Sequence, residues 1–162
     1  MKEMFYGCSS LETINISNFN TSSVIYMSYM FYSCSFLKNL DISNFNISSV
    51  ITMESMFYGC ESLENLTLPE FNTIDNVIKM DYMFFDCVSL VSINVTSLSE
   101  LNVDNTEYMF YNNKKLVNLI LLIFNTWRVR SMEAMFFHCE SLTSLDLSFF
   151  NTELLKKYEI DV

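Results

Sequence analysis

Glycine occurs twice and proline once in 162 residues, and histidine and tryptophan once each. With so little ordinary turn punctuation, the chain must reverse direction by other means. Two glycines leave no room for a glycine-rich phosphate loop. Basic residues are scarce too. Nine lysines and arginines against 19 acidic residues give a net charge of −10, which excludes the basic face a nucleic-acid partner demands. No apolar run approaches the roughly 18–20 residues that span a bilayer, so no membrane span is expected. The N-terminus, MKEMFYGCSS, lacks the apolar core of a signal peptide, so nothing in the chain itself directs export.

What the chain does have is one phrase written six times. Met-Phe pairs fall at Met4-Phe5, Met30-Phe31, Met56-Phe57, Met83-Phe84, Met109-Phe110 and Met135-Phe136, at intervals of 26, 26, 27, 26 and 26 residues. After each pair an apolar residue returns at fixed offsets, as in Leu37, Leu40, Ile42 and Phe45, or Leu63, Leu66, Leu68 and Phe71. The Leu-x-x-Leu-x-Leu part ends in a period of two, the pattern of a strand buried on one face. The stretch from Val50 through Met53, Met56 and Phe57 to Cys60 is spaced instead for a short helix or 3₁₀ turns. Clusters such as SNFNTSS supply side chains that bond local backbone in place of Gly and Pro. One such unit cannot bury its own apolar face, whereas stacked copies can. The expected form is a single right-handed solenoid over residues 1–162, an α/β repeat with one short parallel strand per copy. Short helical or 3₁₀ turns are expected on its convex side. Residues 153–162, ELLKKYEIDV, drop the repeat and are expected to cap its end.

The phrase M-F-x-x-C-x-S-L-x-x-L-x-L-S-x-F-N-T-x-x-V-x-x-M, which runs from Met4 to Thr152, resembles the BspA-type leucine-rich repeat of bacterial and protozoan surface proteins. The resemblance implies a non-enzymatic, surface-displayed binding or adhesion protein that needs no cofactor. It implies protein partners, with host extracellular-matrix or cell-surface proteins as the kind of target, and a cell-surface or secreted location. A cytoplasmic leucine-rich-repeat scaffold is the alternative that the missing export signal and the free thiols suggest. A structural spacer array displaying other domains is a further one. The opening in mid-repeat leads us to expect a longer parent chain.

Each candidate site has to be set beside a purely structural role. Cys8, Cys34, Cys60, Cys87 and Cys139 hold one position in five copies, and Asn113 holds it in the remaining one. Equivalent side chains in a solenoid point the same way. They should form a ladder of buried free thiols, not a metal site or disulfides, with Asn113 fitting a slot near backbone donors. Tyr6, Tyr32, Tyr58, Phe85, Tyr111 and Phe137 form a second aromatic column beside the core phenylalanines. It reads as a packed, half-exposed ladder or as a strip for protein or glycan contact. The polar residues of the strands should line the concave face. The fifth copy breaks that rule with Ile120, Leu122 and Ile123, close in sequence to Trp127, Arg128 and Arg130. Apolar and aromatic groups beside arginines resemble a binding hot spot. Catalysis has no support, since His138 is replaced in the other copies by Gly7, Ser33, Gly59, Asp86 and Asn112. A reaction centre needs unlike residues at one place.

Overall fold

A computed structural model describes residues 1–70, 77–94, 102–121, 126–148 and 150–154. Leu122 and Ile123, and the expected cap from residue 155 onward, lie outside them. Successive copies stack in parallel register. Strand β1 (Asn39–Asp41) pairs with β2 (Asn65–Thr67), and Leu40 lies opposite Leu66. β4 (Ser92–Asn94) likewise pairs with β6 (Asn118–Ile120). In β1 and β4 the central apolar residue is buried and its polar neighbours are exposed, which is the alternation the sequence requires; in β6 Leu119 is buried between exposed Asn118 and exposed Ile120.

A second parallel column, not anticipated from the sequence, runs through residues four places before the Met-Phe pairs. It joins Tyr26 to Thr52 and Thr52 to Lys79 by single bridges, and β3 (Val77–Lys79) to β5 (Asn102–Asn105) by a short ladder. Among the described residues the third and fourth copies therefore carry two short strands each, where one was expected.

The helical expectation is corrected as well: no α- or 3₁₀-helix forms among the described residues. Val50, Met53, Met56, Phe57 and Cys60 are all buried as their spacing requires. The backbone that buries them is a string of i→i+3 turns, in which Met56 N–H donates to Met53, Tyr58 N–H to Ser55 and Cys60 N–H to Phe57. The alternate amides leave the coil. Ser55, Phe57 and Gly59 donate to Asp81, Met83 and Phe85 of the following coil at 2.8, 2.9 and 2.8 Å. A helix would keep all these amides inside its own ladder. Stacking takes half of them away.

The geometry depends on two left-handed residues per coil, four apart, such as Ser55 and Gly59 at φ 52° and 67°. The second of these positions is occupied by Gly7, Ser33, Gly59, Asp86, Asn112 and His138. That set is glycine and small or polar residues, the types that tolerate this conformation best.

The core contains a pile of identical groups. Phe5, Phe31, Phe57, Phe84, Phe110 and Phe136 stack with centroids 5.3–6.0 Å apart and rings within 17° of parallel. Phe31, Phe57, Phe84 and Phe110 are wholly buried; Phe5 and Phe136, in the first and last of these coils, are partly exposed. Such ring pairs contribute about 0.5–1.5 kcal/mol each beyond the area they bury. The corners are closed by side chains in place of glycine and proline. Asn15, Asn20, Asp41 and Asp146 each accept the amide of a residue two positions on.

Candidate binding site

The geometry of the cysteine position accounts for both residue types found there. Cys34 Sγ donates to the carbonyl of Phe5, Cys60 to Phe31 and Cys87 to Phe57 at 3.2 Å, and Cys139 to Phe110 at 3.1 Å. Asn113 Nδ2 makes the same bond to Phe84 at 2.7 Å. The slot therefore faces an acceptor and takes a donor, which corrects the expectation of backbone donors there. Burial pushes the Cys34 thiol up to about 11 and raises those of Cys60, Cys87 and Cys139. All five cysteines are free; Cys34, Cys60 and Cys87 are buried, Cys139 is half-buried and Cys8 is exposed.

The second aromatic column forms one continuous strip. Tyr6, Tyr32, Tyr58, Phe85, Tyr111 and Phe137 stack face to face with centroids 4.5–5.2 Å apart. The four inner rings are half-buried, while Tyr6 and Phe137 are more than half exposed. Stacking covers the ring faces and leaves edges and hydroxyls for contact.

A neighbouring set on the same turns escaped the sequence reading. Tyr29, Tyr82 and Tyr108 lie against this strip at about 50° to its rings, with Tyr82 stacked on Tyr108 at 5.1 Å. Immediately before that position stand Glu54, Asp81, Glu107 and Glu133, one carboxylate on each of four successive coils. Tyr29 donates to Glu54 at 2.5 Å, and Tyr108 donates to Glu133. Those carboxylates push both phenols up to about 12. Asp81 is buried and its acid is pushed up to about 6, by desolvation first and by Glu107 next. The signal was available as a Tyr or acid recurring one and two places before Met. It lacked the hydrophobic period that marks a core position.

The irregular fifth copy is less unified than its sequence suggested. Ile120 is exposed on β6, Trp127 and Arg128 form the exposed tip of a corner turn, and Arg130 bonds through its amide to Asp104 of β5. These are three different parts of the coil. Trp127 is the most exposed large apolar residue among those described, at 69%. Arg130 instead lines a cavity of about 470 Å³ with Lys79, Asp81, Asp104, Asn105 and Glu107. No described helix is long and apolar enough to cross a membrane.

Comparisons with known proteins agree with this architecture. The family described as "Mycoplasma protein of unknown function, DUF285" matches residues 1–97 and 79–160. A comparison with curated proteins found no match. A leucine-rich repeat protein from Bacteroides ovatus ATCC 8483, known from a crystal structure, is similar with a TM-score of 0.56 and 26% identity. The likeness covers 87% of this chain and 32% of that one, so the chain spans about one third of that protein's length. The chain belongs to the DUF285 family, and its repeat is the BspA-type leucine-rich repeat.

Proposed function

We propose that the chain is a non-catalytic protein-binding module, a single right-handed solenoid of six coils acting within a surface-displayed or secreted adhesion protein. Its targets are host or neighbouring-cell proteins, extracellular-matrix proteins included. Residues 153–162 close the end of the solenoid in this reading. The observation that carries it is the unbroken strip from Tyr6 to Phe137, which offers ring edges along six coils of a BspA-type leucine-rich repeat. Aromatic groups on a rigid scaffold bind at low entropic cost, and Trp127 with Arg128 adds the residue types that dominate protein interfaces. Recurrence of the same side chains suits a long contact surface and leaves a catalytic role without support.

The test is saturable binding to purified matrix and cell-surface proteins, with Trp127→Ala and a Tyr32→Ser/Tyr58→Ser double variant alongside. We expect a loss of at least tenfold in one of the variants at unchanged fold. A second reading, a spacer that displays other domains, is favoured by the coverage of only 32% of the Bacteroides protein. Binding by flanking segments and none by this chain would establish the spacer instead.

A further inference from the structure

The cavity beside β5 carries an unmet demand for hydrogen-bond donors. Pairing of β3 with β5 matches Ile78 to Val103 and then Lys79 to Asn105, so Asp104 is an extra residue in a bulge. Bulges re-aim side chains, and this one places Asp104 on the cavity wall. Asp104 Oδ1 and Asn105 Oδ1 are shielded from water and have no hydrogen-bond partner. A buried acceptor left in that state costs about 1–3 kcal/mol. Asp81, on the same wall, accepts the Glu107 amide at 3.3 Å, and the Glu107 carboxylate lies close enough to repel it. Lys79 and Arg130 also line the cavity, but among the described residues neither forms an ion pair.

We propose that this cavity receives an arginine side chain of a protein partner, whose guanidinium donates to Asp104, Asn105 and Asp81. A guanidinium brings five N–H donors in one plane and is held most strongly by carboxylates. Small rotations of the half-exposed Asp104 and Asn105 side chains turn their oxygens toward an incoming donor. A divalent ion needs hard oxygens converging at about 2.0–2.6 Å. Among the described residues no three Asp, Glu, His or Cys side chains are so placed. The net charge of −10 would steer a basic partner toward the molecule before this contact forms. The proposal rests on the protein-binding reading and names the chemistry of the partner.

Amide-detected NMR titration of the whole chain with N-acetyl-arginine amide tests it, with N-acetyl-citrulline amide as the neutral isostere and calcium chloride as a competing probe. Shifts confined to Asp81, Asp104, Asn105 and Glu107 are expected with arginine and not with citrulline. Binding should weaken at least tenfold in Asp81→Asn/Asp104→Asn. It should change less than twofold in Glu61→Gln/Glu64→Gln, which removes two exposed charges elsewhere. Shifts scattered over the acidic surface, equal effects of all variants, or displacement of arginine by lower calcium concentrations would each overturn it. Failure to bind matrix proteins would sink the adhesion reading and leave this readout unaffected.

Discussion

The thiol of Cys60 donates to the carbonyl of Phe31, 3.2 Å away in the preceding coil, and that carbonyl also accepts the amide of Cys34 at 3.1 Å. One atom thus ties a turn to itself and to its neighbour. Removing the thiol leaves a buried acceptor half-satisfied and a small void. Cys60→Ala should lower the unfolding free energy by about 1–2 kcal/mol in reducing conditions. Asn113 fills the same slot but leaves its Oδ1 buried without a partner. Asn113→Cys should therefore stabilise by about 1 kcal/mol. Urea denaturation of both variants checks the pair of opposite signs.

Thiol reactivity should separate the ladder by depth. Cys8 is exposed, whereas Cys34, Cys60 and Cys87 are buried and their thiols are held in the protonated form by desolvation. Only the thiolate reacts readily. At pH 8 an alkylating reagent should label Cys8 fast, Cys139 slowly and the other three only on unfolding. Mass spectrometry of labelled peptides reads the order.

Gly59 adopts φ +67°, and a β-carbon there would meet Ser33 Oγ at 3.4 Å. Gly59→Ala should destabilise by about 1 kcal/mol, because a side chain in the left-handed region is strained whatever the space around it. The reverse change at the matching place, Ser33→Gly, should be neutral or stabilising. Thermal unfolding of both gives the signs.

Asp81 makes stability depend on pH in a defined window. Its acid is raised from 3.8 to about 6 on folding. A folded-state value above the unfolded one favours the native state below pH 4, and that contribution is lost as pH rises through 6. Asp81→Asn carries no such charge. It should exceed the native protein in stability by about 1 kcal/mol at pH 7, solvent screening at the cavity limiting the gain. The difference should vanish near pH 4. Denaturation midpoints of the two proteins across pH 4–7 test this.

The core was largely legible because it recurs. Leu40 and Ile93 alternate with polar residues, and Phe31, Phe57 and Phe84 return at each copy, so their burial and stacking follow from spacing alone. The local backbone was not legible. Met53 and Met56, three apart, suit a helix and consecutive i→i+3 turns equally. What separates the two is where the Ser55, Phe57 and Gly59 amides point, a property of the stacked neighbour. The position of Gly7, Ser33, Gly59, Asp86, Asn112 and His138 shows only with its φ values why such unlike residues share it. The Tyr29 and Glu54 columns lack apolar periodicity, and the bulge at Asp104 depends on the pairing of β3 with β5.

Hydrogen exchange at single amides tests the stacking most directly. At every boundary between coils at least three amides cross, among them those of Phe31, Phe57, Phe84 and Phe110 at 2.9–3.0 Å. We predict that these four exchange among the slowest in the protein, at rates set by global unfolding. Fast, independent exchange at Phe57 and Phe84 in the native protein would contradict a fold held together coil upon coil.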